Sequence, residues 1–169
     1  MKIKLKLWSK VAEIIGSLGI IISLIFVAIQ YKKNSLALET STVNSVNTNI
    51  ANWYSYMGDD LSVSRVFSKF FEEPKTLTPE ERFQAIMKLH SLALHLQNAY
   101  YLEKKGVLDP SIRRSITYVY FSGKEKPGFK YFWKIRKDIF TEEFQKFVDN
   151  IIQSEPDSNM EKLYEKIIN

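Results

Sequence analysis

The chain has 169 residues, 24 of them Lys or Arg and 19 Asp or Glu, and no cysteine, which excludes disulfides and thiolate metal sites but fits either redox compartment. Its net charge of +5 lies in residues 1–33, where six lysines face Glu13 alone, whereas residues 34–169 hold 18 basic and 18 acidic side chains. The high pI therefore belongs to the N-terminal flanks, and no nucleic-acid partner is expected.

Residues 1–10 form a basic flank with Lys2, Lys4, Lys6 and Lys10. The run 11–31, Val11 to Tyr31, follows, and its 16 central residues, Ile14 to Ile29, carry no charge. As a helix at 1.5 Å per residue it is about 31 Å long, close to the roughly 30 Å of a bilayer core. A transmembrane helix is predicted here. A cleavable signal peptide has a shorter apolar run of about 7–15 residues and an early small-residue site. Here the only such site, Ser35-Leu36-Ala37, lies beyond Lys32 and Lys33. Four lysines precede the span and two follow it, which mildly favours an exported domain, while Lys32 and Lys33 abut the span directly. Orientation stays undecided on these residues. Ala12, Gly16, Gly19 and Ser23 share one face, a small-residue pattern that allows close helix association, and a homo-oligomer is a possible consequence. Glu13 sits one turn inside the span and is expected to reach back to the headgroups.

Residues 32–57 continue as a juxtamembrane helix or stalk. Leu36, Val43, Ile50 and Met57 repeat every seven residues, Val46 and Trp53 fill intermediate positions, and Glu39 is the one polar break. Such a seam needs a cover, either a second copy or the following domain. Residues 58–169 read as a small helical bundle, so the predicted fold is all-α. Gly58-Asp59-Asp60 is a break, and Leu61 to Glu73 is a short helix. Thr78-Pro79-Glu80-Glu81 is a helix start with a capping box, and Gly106 is its stop. Asp109-Pro110 opens another helix, Ser122-Gly123 and Pro127-Gly128 bracket a loop, and helices are predicted near 129–140, 141–153 and 159–168, the last behind a Ser158–Glu161 capping box. No stretch alternates with period two, so no sheet is expected.

The helix after Thr78 carries two apolar stripes, Phe83, Ile86, Met87 and Leu94 on one and Leu89, Leu92, Leu96 and Ala99 on the other, as in a helix central to a bundle. His90, Gln97, Asn98 and Tyr101 interrupt the first stripe. They suit either a buried polar network or a small ligand pocket between helices. His90 and His95 diverge by about 140° on a helix and cannot share a metal. With six glycines there is little material for phosphate-cradling loops, and no nucleophile elbow or metal-ligand spacing occurs. No catalytic, cofactor or metal site is expected, and the chain is read as not an enzyme. Residues 104–137 hold ten basic and two acidic side chains. Lys124, Lys126, Lys130, Lys134, Arg136 and Lys137 there interleave with Phe129, Tyr131, Phe132 and Trp133. They fit a binder of single-stranded nucleic acid, a surface on anionic lipid, or an amphipathic helix whose aromatics are core and whose lysines pair with acidic helices.

The runs ISLIFVAIQYKKNSLALE, EEPKTLTPEERF, LHLQNAYYLEKKGVLD and FKYFWKIRKDIFTEEFQKFVD resemble a large group of uncharacterised bacterial proteins, small and single-pass, with a helical C-terminal domain. The resemblance spans about Ile14 to Ile152, and its most distinctive parts are Asn98-Ala99-Tyr100-Tyr101 and Gly106-Val107-Leu108-Asp109. It implies a bacterial inner-membrane location and, through Lys32 and Lys33, a cytoplasmic domain. Where the group often has an acidic residue before that Asn, this chain has Gln97. A looser architectural similarity to proteins described as phage abortive infection proteins carries little functional weight. The expected role is a membrane-anchored helical interaction module, or alternatively a membrane-linked ligand-sensing effector in stress or phage defence.

Overall fold

The computed structural model describes residues 2–154, and the chain is all-α. The elements are α1 (Lys2–Asp59), α2 (Leu61–Glu72), α3 (Pro79–Lys104), α4 (Pro110–Gly123), α5 (Pro127–Arg136), a 3-10 turn (Lys137–Ile139) and α6 (Glu142–Gln153). The helix predicted at 159–168, with its capping box, lies outside the described residues. Two compact units divide the chain after Ser41, so α1 contributes to both.

In the first unit α1 is the single helix among the described residues long and apolar enough to cross a membrane. Its apolar run is uncovered: Ile14, Ile20, Ile22, Leu24 and Phe26 are all exposed. A Cβ built on Gly16 or Gly19 meets nothing within 4 Å, and Ser23 Oγ donates to Gly19 O at 2.8 Å.

The second unit folds around α3. Ala85, Leu89, Leu92, Ala93, Leu96 and Ala99 are all buried, so the second of the two predicted stripes forms the core. The first stripe divides: Ile86 is buried, but Phe83 is 63% and Leu94 45% exposed. Thr78 caps α3 as its spacing predicts, its hydroxyl accepting from Glu81 N while the Glu81 carboxylate accepts from Thr78 N. At the other end Gly106 takes φ 69°, and Val107 N donates to Leu102 O, which closes the last turn. Asp60 and Asp109 begin α2 and α4 by accepting from Ser62 N and Ser111 N. The heptad seam is covered by its own unit from Val43 onward: Val46 and Trp53 are buried, and Val43, Ile50 and Met57 pack against the core. Leu36 is exposed. The predicted helix near 129–140 ends early, at Arg136, because a 3-10 turn swings Phe140 inward to stack on Trp133 at 5.7 Å.

Helices α2 and α5 meet backbone to backbone at Gly128. A Cβ there would lie 2.1 Å from Phe70 O and 2.8 Å from Phe71 Cα. Gly128→Ala is therefore expected to destabilise the fold by about 1–3 kcal/mol or more, read as a lowered urea midpoint in non-ionic detergent, whereas Gly58→Ala, with open space around it, leaves the midpoint nearly unchanged.

Candidate functional site

The residues singled out along α3 do not converge on one pocket. His90 is half-buried against the Phe140 ring at 5.1 Å, and its Nδ1 is buried without a partner among the described residues. Gln97 Oε1 accepts from Thr141 N at 3.0 Å and Thr141 Oγ1 at 3.3 Å, tying α3 to the start of α6. Asn98 and Tyr101 are exposed. Gln97, Asn98 and Tyr101 line an open groove of about 380 Å³ beside Glu142 and Glu143, without His90. Neither a buried network nor an enclosed pocket of all four forms, because the core side of α3 is filled by its own leucines and alanines. Lys104 and Glu143 pair across the groove rim at 2.6 Å, both largely exposed.

The basic stretch is also sorted by the fold. Lys124 is 1% exposed and cannot face lipid. Its ammonium donates to Ser154 O, to Ser154 Oγ at 3.0 Å and to Ile151 O at 3.4 Å, and so closes the C-terminal end of α6, where a cation is favoured. Lys126 pairs with Glu72 at 2.6 Å, Lys130 with Glu125 at 2.8 Å and Lys137 with Asp149 at 2.6 Å. Asp149 also accepts from Trp133 Nε1 at 2.8 Å. Lys134 is exposed and Arg136 half-buried, its Nε buried without a partner among the described residues. The interleaved aromatics Phe129, Phe132 and Trp133 are core.

A second cleft, of about 250 Å³, lies between α3 and the part of α1 that belongs to the same unit. Asn49, Asn52 and Tyr56 line one wall and Lys88, Ser91 and His95 the other, with Trp53 at the floor. Trp53 Nε1 donates to Lys88 O at 3.0 Å and holds the walls together. The Lys88 ammonium rests over the Tyr56 ring, 2.9 Å from its centroid. A cation on an exposed ring is worth about 0.5–1 kcal/mol, and Lys88 has no carboxylate partner among the described residues. The sequence reading missed this cleft, although a signal existed. On both helices the lining residues recur at i, i+3 and i+7, and each directly precedes a seam residue: Asn49 before Ile50, Asn52 before Trp53, Lys88 before Leu89, Ser91 before Leu92 and His95 before Leu96.

Burial lowers the pKa of both histidines below 6.5, and for His90 the positive charge of Arg136 adds to it. No group of three or more His, Cys, Asp or Glu side chains able to hold a metal occurs among the described residues. Comparison with known proteins returned no match: no family model, no curated protein and no solved structure is significantly similar to the chain.

Two outcomes follow from this geometry. Lys124→Met takes the ammonium from Ser154 O and Ser154 Oγ, while Ile151 O keeps Ser154 Oγ and Ser154 N as donors, and is expected to destabilise the unit by about 1–3 kcal/mol, with faster amide exchange confined first to the end of α6. Because the folded histidines hold protons less tightly than the unfolded ones, their contribution is complete above pH 6.5 and is lost as pH falls from there through the folded values. Imidazole titrations followed by NMR should give midpoints below 6.5 for both rings.

Proposed function

We propose that the chain is a single-pass protein of the bacterial inner membrane, anchored by α1, and that the unit after Ser41 is a helical interaction module with no chemistry of its own. The observation that carries this reading is the uncovered apolar surface of α1, from Ile14 through Ile29. Each large aliphatic side chain gains about 1.5–3 kcal/mol on leaving water, and a hydrocarbon bilayer supplies that gain along the whole run. The capped, self-covered bundle after Ser41 supports a module that folds on its own core and presents its outer face to a partner. The small-residue face of Ala12, Gly16, Gly19 and Ser23 supports a second copy of the chain as one such partner, since the space above both glycines is open. The bacterial origin and the cytoplasmic side rest on the resemblance carried by Lys32, Lys33 and the Asn98–Tyr101 run. A second reading, a membrane-linked ligand-sensing effector in stress or phage defence, draws support from the open groove beside Gln97, Asn98 and Tyr101.

A reporter active in only one compartment, fused after Asn169 in bacterial cells, tests the anchor and its direction together. A membrane-bound reporter active in the cytoplasm is expected; release of the fusion by an alkaline carbonate wash would sink the anchored reading. Replacing Gly19 and Ser23 with Leu is expected to shift the full chain in detergent from dimer or higher oligomer toward monomer. An unchanged distribution removes this face as the association surface.

A further inference from the structure

We propose that the cleft between α3 and the C-terminal part of α1 binds a phosphate group, held by Lys88 with the Asn49 and Asn52 amides, the Ser91 hydroxyl and the His95 imidazole. The inference is independent of whether α1 spans a bilayer, because every residue named lies in the second unit.

The chemistry of the lining selects the ligand. One ammonium and several N–H and O–H donors line the cleft, and no carboxylate does. The side chains of Asn49, Asn52, Ser91 and His95 make no hydrogen bond to another described residue, although Asn49, Ser91 and His95 are partly buried. None of their polar atoms is fully buried, so these donors open onto the cleft and are free to meet an incoming acceptor. Lys88 is parked on a ring face rather than on an anion, and a charge-assisted bond to an oxyanion is the stronger of the two interactions. The donors come from two facing helices, so a flat carboxylate with two oxygens would engage one wall. A phosphate presents oxygens in several directions and reaches both. A volume of about 250 Å³ accommodates a phosphate or a phosphorylated headgroup and lies below the roughly 300–1,000 Å³ of pockets that enclose drug-sized ligands. Trp53 fixes the spacing of the walls through Lys88 O, so the cleft is preformed.

The test uses the full chain, labelled at histidine, in non-ionic detergent. Inorganic phosphate is titrated while both imidazoles are followed by NMR. A saturable shift at His95 with His90 unmoved is expected, and Lys88→Met should weaken it about ten- to a hundredfold. Ser91→Leu, which fills the cleft without touching the cation, should abolish it. The Trp53 indole N–H signal reports that the two walls remain joined in each variant; should Lys88→Met lose it, Ser91→Leu carries the same comparison. Nanodiscs identify the source of the phosphate. A His95 shift in phosphatidylglycerol discs without free phosphate assigns a lipid headgroup, and a shift with free phosphate in phosphatidylcholine discs alone assigns a soluble ligand. A His95 resonance that moves with neither probe, that moves linearly without saturating, or that moves equally in Lys88→Met overturns the proposal.

Discussion

The second unit depends on covering one face of α3. That face alternates leucine with alanine, and the alanines at 85, 93 and 99 leave room for neighbours to come close while the leucines fill what remains. The buried face of α3 is built from short and medium side chains, so the partners bring most of the volume. They do so with rings: Phe67 and Phe70 from α2, Phe129, Phe132 and Trp133 from α5, and Phe140 and Phe144 at and after the turn into α6. Edge-to-face and offset pairs run through this layer, including Trp53 with Phe67 at 5.6 Å and Phe140 with Phe144 at 5.5 Å. Each such pair adds about 0.5–1.5 kcal/mol beyond its burial. The cleft and the groove are what is left where this layer stops, at the flanks of α3, and that is why polar side chains line them.

Much of this was legible from local patterns. Thr78 and Glu81, Gly106, and the Val43–Met57 seam announce themselves because caps and periodicity depend on residues within one or two turns. What the pattern could not supply is which side of a helix meets a neighbour. Phe83 and Leu94 sit on an apolar stripe by spacing, yet no neighbour covers either of them, and they stay in solvent. The same limit explains the polar residues of α3. His90, Gln97, Asn98 and Tyr101 look like one set on a helical wheel, but Phe140 takes the space beside His90 and Thr141 takes Gln97. Lys124 was the least predictable of all. Its burial depends on the end of α6 arriving beside it, thirty positions later in the chain.

Charge is arranged by a similar division of labour. Residues 104–137 look like a positive field when counted along the sequence, but Glu72, Glu125 and Asp149 meet three of its lysines directly. Exposed pairs of this kind contribute about 0–1 kcal/mol each to stability. Their larger effect is on the surface, where they reduce the field that a lipid or nucleic-acid surface would sense. Lys88 differs from these in having an aromatic face where the others have a carboxylate, which leaves its charge for something else to meet.

The close approach at Gly128 fixes more than a distance. With the Phe70 carbonyl directly against that α-carbon, a slide of α5 along α2 by about one turn would bring the Tyr131 or Phe132 side chain, three and four residues on along the same face, into a gap sized for hydrogen. The contact therefore acts as a ratchet tooth. It blocks shear that would draw the next turn of α5 past Phe70, so a rearrangement in that direction has to separate α2 from α5 or carry them together as one piece.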